Sequence, residues 1–203
     1  IGPNTYVVTL TVFEDCGTAF IGNMPESISV TNTCGLTFST NISLPIVTYQ
    51  QEISQLCLPM LGQSECNGGG FPGVYMHIWR DTITLPGPCD SWIFSYDDCC
   101  RNASQNLVGT GNDYYFETVL NSNTASCNSS PIITASPIPY NCLNQPVVYN
   151  FGVYEPDGDS LVYSLVSALD DPGLPVPYQG GYSGASPING ININPNTGEI
   201  TFT

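Results

Sequence analysis

The chain of 203 residues is long enough for one large domain or two ordinary ones, and at 41% hydrophobic residues it can bury a core. Only 9% of residues are charged, against about a quarter in an ordinary globular protein, so Ser, Thr, Asn, Gln, Gly and Tyr must cover the surface. The 17 acidic residues face two bases, Arg80 and Arg101, with no lysine, and the net charge of -15 repels phosphate backbones and anionic lipid heads, which disfavours nucleic acid and direct membrane insertion.

Taken in chain order, the apolar residues recur every second position. Thr5 to Phe13 places Tyr6, Val8, Leu10 and Val12 on one face and Val7, Thr9, Thr11 and Phe13 on the other. Leu36, Phe38 and Ile42 alternate in the same way. Val74 to Leu85 reads as a long strand or a strand pair, and Trp92, Phe94 and Tyr96 share one face of another. Tyr114 to Leu120, Val147 to Phe151 and Leu161 to Val166 follow, then Ile191, Ile193 and Ile200 to Phe202. These runs are short, β-branched and aromatic, bounded by Gly, Pro and Asn. No window keeps a helical apolar period, and 17 prolines with 20 glycines oppose long helices. The sequence predicts an all-β protein, with sandwiches preferred over barrels.

A boundary is expected near residues 127 to 131, dividing the chain into 1–127 and 128–203. The first block carries eight of the nine cysteines and both arginines. The second is acidic, rich in Pro and Gly, and holds only Cys142. No apolar run reaches membrane-spanning length. The start at Ile1 reads as that of a mature or excised piece.

The cysteines are Cys16, Cys34, Cys57, Cys66, Cys89, Cys99, Cys100, Cys127 and Cys142. None forms a C-x-x-C pair, which removes support for zinc ribbons and thioredoxin-like motifs. Disulfides imply an oxidising, extracellular location. Cys57 with Cys66 and Cys127 with Cys142 are plausible local links, although spacing does not fix connectivity. Cys99 and Cys100, if on a strand, point to opposite faces and pair in different directions. Nine is odd, so one thiol is free or its partner lies outside this segment.

The sharpest polar cluster is Glu155-Pro156-Asp157-Gly158-Asp159, three carboxylates in five residues. Without lysine such a cluster repels itself unless a cation joins it, and carboxylates are hard oxygen ligands suited to calcium. The competing reading is an Asp-Gly turn with solvated charges. The glycine offset does not match an EF-hand.

Residues 128 to 203 resemble a cadherin-like, dystroglycan-type immunoglobulin-like module. The resemblance is carried by Asn128-Ser129-Ser130-Pro131, by Tyr154 to Ser164 (YEPDGDSLVYS) and by Asn194 to Thr201 (NPNTGEIT). It implies calcium at a domain junction, held by Asn128, Glu155, Asp157 and Asp159, with Asp170 and Asp171 as further ligands. Glu155 stands where an Asp is commoner in the family.

The whole chain also resembles large Bacteroidota cell-surface proteins, including gliding-motility-associated adhesins exported by type IX secretion. Asn4 to Cys16, Cys66 to Gly73 (CNGGGFPG), Trp92 to Asn102 (WIFSYDDCCRN) and the Asp-Gly-Asp module carry it. It implies two immunoglobulin-like or cadherin-like β-sandwiches in tandem, truncated at both ends, with the final strands of the second missing or supplied by another chain. It also implies that Val148 and Thr201 occupy the positions of a cysteine pair found in relatives. An open sheet edge would then invite strand donation between subunits of a filament.

The remaining candidates have plain readings beside the sharper ones. His77, the only histidine, is expected to be a packed or exposed strand residue; no nucleophile motif accompanies it. Asp97 with Asp98, and Glu14 with Asp15, are neighbours whose side chains diverge on a strand, so a second cation site or solvation fits better than glycoside hydrolysis. Arg101 is expected to form a bidentate salt bridge or to cap backbone carbonyls. Tyr178 and Tyr182 lie in a Gly/Pro loop, as sugar-stacking rings or as loop anchors. Asn41, Asn102 and Asn128 begin N-glycosylation sequons. Thr82 and Ser160 match the short O-glycosylation signal of Bacteroidota. The function expected is that of a non-enzymatic structural or adhesive unit at the cell surface, stiffened by disulfides and calcium. Its partners are neighbouring domains or subunits. The alternative is a carbohydrate-binding module, of an adhesin or of a larger glycan-active enzyme, that engages surface glycans.

Overall fold

The structure is a computed structural model and describes residues 2–17, 20–109, 111–125, 127–135, 141–142 and 144–203. The chain is nearly all β, with 40% strand and 5% helix, arranged in several antiparallel sheets. Fourteen strands are described: β1 (Thr5–Asp15), β2 (Glu26–Asn32), β3 (Asn41–Leu44), β4 (Ile46–Glu52), β5 (Val74–Thr84), β6 (Trp92–Asp98), β7 (Tyr114–Leu120), β8 (Ile132–Ile133), β9 (Val147–Tyr149), β10 (Val153–Tyr154), β11 (Leu169–Asp171), β12 (Leu174–Pro175), β13 (Asn192–Ile193) and β14 (Ile200–Phe202). Two short 3-10 turns, Leu58–Gln63 and Glu65–Asn67, lie between β4 and β5. Among the described residues no helix is long and apolar enough to cross a membrane.

The chain forms two compact units. The first comprises Ile1–Phe94 and Val119–Ser126; the second comprises Ser95–Thr118 and Cys127–Thr203. The chain therefore enters the second unit inside β6, returns to the first inside β7, and leaves again at Cys127.

In the first unit, β1 and β5 pair antiparallel over their full length, from Thr5 opposite Thr84 to Asp15 opposite Val74. Alternation along β1 turns Leu10, Val12 and Glu14 inward and Val7, Thr9, Thr11 and Phe13 outward. That is the period-two face predicted for Leu10 and Val12, extended to Glu14. β5 is a single strand, and β4 flanks it on the other side. The β4 register shifts between Thr48 and Gln51, where Gln50 adopts a positive φ of 51°. An extra residue of this kind bends an edge strand.

The core of this unit holds Trp79, Trp92, Leu44, Leu85, Val30 and Cys89, all fully buried. Each indole keeps its donor satisfied: Trp79 Nε1 donates to Met24 O at 2.9 Å and Trp92 Nε1 to Gly87 O at 3.2 Å. A large apolar side chain buried to this degree contributes about 1.5–3 kcal/mol. Leu36 and Phe38, expected on a strand with Ile42, precede β3 in a loop; the Phe38 ring meets Trp92 edge-on at 5.7 Å. The backbone at Asn32 explains the loop. Its side-chain oxygen accepts the N–H groups of Cys34 and Leu36, and its amide donates to Leu36 O, a local closure that competes with strand pairing.

Two disulfides staple this unit, Cys16–Cys66 and Cys34–Cys89, across 50 and 55 residues of chain. The Cys57–Cys66 link suggested by spacing is not made. Cys66 turns toward Cys16 at the end of β1, and Cys57 is an exposed free thiol. Closing loops of this length stabilises a fold by about 2–4 kcal/mol each.

In the second unit, β7 pairs with β11 and β11 with β12. β14 lies between β13 and β9, and β8 pairs with β10. Val148 and Thr201 are direct partners in the β9–β14 register. Tyr96, Leu107, Tyr115, Val147 and Val176 are the buried apolar residues among those described in it. The run Leu161 to Val166, expected as a strand, belongs to no sheet among the described residues. Its residues alternate: Leu161, Tyr163 and Leu165 are half-buried, whereas Val162 is 82% exposed and Val166 75% exposed. Among residues 161–167 only the Tyr163 N–H makes a described backbone pair, to Pro195 O at 2.9 Å. On the covered side, Gly198 lies against the Tyr163 ring, where a Cβ would come within 2.7 Å, and its φ of +70° also favours glycine.

Candidate functional site

The acidic turn joins the linker that precedes it. Asp157 Oδ2 accepts the Ser129 N–H at 2.5 Å, and Glu155 Oε2 accepts the Asp159 N–H at 2.7 Å. Gly158 adopts φ +82°, the left-handed position that a tight Asp-Gly turn requires. Asn128 and Asp159 are exposed. The oxygen chemistry of Asn128, Glu155, Asp157 and Asp159 suits calcium. Among the described residues, however, no three His, Cys, Asp or Glu side chains are gathered to hold a metal. Here backbone amides answer the negative charge of Glu155 and Asp157. Asp170 Oδ1 likewise accepts the Asp113 N–H at 2.7 Å.

The segment after β6 departs from the sequence expectation. Cys99 and Cys100 bond to each other. The alternation argument fails because β6 ends at Asp98 and Cys100 has a φ of 116°, outside strand geometry. Asp98 anchors the approach: its Oδ1 accepts the Cys99 N–H at 2.8 Å, and its Oδ2 accepts the hydroxyls of Tyr96 and Tyr114. Asp97 and Asp98 are both exposed. Cys142 is a free exposed thiol, so the Cys127–Cys142 link is also not made.

Arg101 follows the two-cysteine ring. Its backbone N–H donates to Asn112 O at 2.7 Å. Its Nε donates to Asp113 O at 3.4 Å and its Nη2 to Leu169 O at 3.2 Å. This is the carbonyl-capping role; the salt-bridge role is not adopted, since among the described residues no carboxylate oxygen lies within 4.0 Å of the guanidinium. Arg101 lines a cavity of about 270 Å³, with Asn102, Ser104, Asn106 and Tyr178 among its walls and no acidic residue. The cavity is held by cross-links between two loops. Val108 N–H donates to Pro177 O, Gln179 N–H to Asn106 O, and Asn106 Nδ2 to Pro187 O at 2.7 Å. The Tyr178 hydroxyl accepts the Ala168 N–H at 3.0 Å, which makes Tyr178 a loop anchor whose own O–H remains a donor. Tyr182 is half-buried and does not line this cavity.

In the first unit, Glu14 is the residue whose expected surroundings are overturned. It is buried on β1, neither solvated nor set for a cation, and its Oε2 lies 2.8 Å from Nε2 of the fully buried His77 on β5. The imidazole stacks on Trp79 and meets Tyr49 and Tyr75 edge-on. The Nε2 contact is at ion-pair distance without hydrogen-bond alignment, and Nδ1 has no hydrogen-bond partner among the described residues. His77 is thus the packed strand histidine of the plain reading. The alternation of β1 could have flagged Glu14, which shares a face with Leu10 and Val12.

Beside that pair, Glu52 organises the loop closed by Cys16–Cys66. Ser54 Oγ donates to its Oε1 and Asn67 Nδ2 to its Oε2, each at 2.8 Å. Burial pushes the Glu52 carboxyl up, but hydrogen bonds from Ser64, Ser54 and Asn67 outweigh it and hold the group below its ordinary value. Nothing in the local sequence around Glu52 marks it. The candidate modification sites Asn41, Asn102, Asn128, Thr82 and Ser160 are all exposed. No family model, curated protein or solved structure matches the chain.

Proposed function

We propose that the chain is a structural and adhesive unit of a large bacterial cell-surface protein, two immunoglobulin-like or cadherin-like β-sandwiches in tandem, that joins its neighbours by strand addition. One observation carries this reading: the Leu161–Val166 run lies in no described strand, makes one described backbone pair, from the Tyr163 N–H, and exposes Val162 and Val166. A backbone of this kind is a template for a strand from a neighbouring domain or subunit. The two long-range disulfides support an oxidising, extracellular setting and a unit that resists unfolding under load. The role is non-catalytic.

Calcium is the proposed cofactor, with Asn128, Glu155, Asp157 and Asp159 as ligands. The Ser129–Asp157 contact supports it by bringing the linker against the acidic turn. Binding would require Glu155 and Asp157 to exchange backbone amides for the ion. Thermal melts with calcium and with chelator test this. A raised melting temperature in calcium that Asp157→Asn removes is the result expected; identical melts would remove calcium from the proposal.

The strand-addition reading is tested by sizing the protein at rising concentration, alone and with the flanking segments of its parent chain supplied as peptides. Val162→Lys with Val166→Lys is expected to abolish association and leave the monomer folded. Hydrogen exchange should slow across residues 161–167 in the associated state. Association with no protection there would refute it. The second reading, a carbohydrate-binding module, is favoured by the donor-lined cavity at Arg101.

A further inference from the structure

We propose that the Arg101 cavity binds the carboxylate of an acidic monosaccharide unit, a sugar ring bearing one carboxyl group. This deepens the carbohydrate-binding reading and rests on it; it is independent of strand addition.

The cavity presents donors and no acid. Of five guanidinium N–H groups, the described bonds of Arg101 occupy Nε and one on Nη2. The Asn102 side chain is exposed beside it on the same wall. The Tyr178 hydroxyl accepts from Ala168 and retains its proton for donation. Ser104 and Asn106 bond to each other, and Asn106 is further tied to Pro187 O, so these two hold the wall in place. A donor set around a guanidinium that makes no described ion pair matches an acceptor-rich anion, and Arg is the side chain best shaped for a carboxylate.

The backbone and two side-chain donors of Arg101 are fixed on the carbonyls of Asn112, Asp113 and Leu169. No described carboxylate oxygen lies within 4.0 Å of the guanidinium, and the cavity it lines is walled by neutral groups. The Cys99–Cys100 ring and the Asn112 contact fix the residue before the side chain begins.

Size narrows the class. At about 270 Å³ the cavity falls just below the range of about 300–1,000 Å³ that holds drug-sized ligands. A single sugar ring fits that scale, and the Tyr178 ring and Leu107 give it an apolar wall. The net charge of -15 repels an anion at long range, but screening confines that repulsion to about 8 Å at physiological ionic strength. Recognition is therefore local.

The test is an amide-resolved NMR titration of the full chain with sodium glucuronate, glucose and sodium acetate, at constant ionic strength. Glucuronate is expected to shift Arg101, Asn102 and Tyr178 and to bind about ten-fold or more tighter than either comparison compound, the scale of one charge-assisted hydrogen bond. Arg101→Gln is expected to lose that margin. Asn102→Asp places a carboxylate at an exposed position without described contacts, so it should keep the native spectrum and lose glucuronate binding; it decides the matter where Arg101→Gln does not fold. Equal binding of glucose overturns the carboxylate assignment and leaves the carbohydrate reading standing. Equal binding of acetate reduces the site to a simple anion pocket and overturns the sugar assignment. Unchanged glucuronate binding by Asn102→Asp overturns the location, and no binding of any compound removes both readings.

Discussion

Nε2 of His77 and Oε2 of Glu14 sit 2.8 Å apart within the aromatic interior of the first unit, closed off from solvent. Removing one partner leaves the polar atoms of the other buried without an answering group. Glu14→Ala is expected to destabilise the protein by about 1–3 kcal/mol. Replacing both residues with apolar groups, Glu14→Leu with His77→Phe, should cost less or stabilise. Urea unfolding of the two variants checks this. A double variant as damaged as the single one would show that the pair does more than answer its own polar atoms.

Glu52 gives the fold an acid dependence. Its carboxyl is held below its ordinary value of 4.5 by the Ser64, Ser54 and Asn67 hydrogen bonds, against the opposing effect of burial. A carboxyl lowered in the folded state stabilises it above the ordinary value, and that contribution is lost as pH falls through the folded value. Wild type should therefore lose melting temperature faster than Glu52→Gln as pH drops below about 4.5. Parallel curves would remove Glu52 from the acid response. Because Glu52 is only half-buried, the effect is expected to be modest.

The disulfides make a covalent map that spacing could not supply. Peptide mapping under non-reducing conditions should recover Cys16–Cys66, Cys34–Cys89 and the Cys99–Cys100 ring, with alkylation of Cys57 and Cys142 in the native protein. Removing the bridge near Glu52, Cys16→Ser with Cys66→Ser, is expected to cost about 2–5 kcal/mol. A Cys57–Cys66 peptide in the map would contradict the arrangement at the end of β1.

What was legible in the sequence follows from how strongly one face is buried. β1, β5, β6 and β7 alternate sharply because one side of each is apolar, and the prediction found all four. β4 was missed: Val47 is 54% exposed and no residue on the strand is fully buried, so the pattern carries no strongly apolar inward face. β2 buries Ile28 and Val30 between serines and threonine, a signal present but short. Leu161–Val166 shows the converse. Alternation marks a chain as extended, but a strand also needs a partner backbone, and the local sequence does not say whether one is there. Glu14 was misplaced, and Arg101 left with two alternative roles of which carbonyl capping is the one adopted, for a related reason. A charged residue's surroundings come from segments far along the chain, His77 in one case and Asp113 with Leu169 in the other.

Val148 and Thr201 face each other across β9 and β14, at the two positions where the resemblance to cell-surface modules implies a cysteine pair. Direct partners in an antiparallel ladder lie about 4.5–5.5 Å apart at Cα, within the span that a disulfide bridges. Val148→Cys with Thr201→Cys is therefore expected to oxidise spontaneously and to stabilise the second unit by about 2–4 kcal/mol. Val148 is 67% exposed, so the change removes little packing. Melting under oxidising and reducing conditions isolates the bridge from the substitutions. A rise only under oxidising conditions is the expected result. Failure to form the bond would mean that the β9–β14 register differs from the one described.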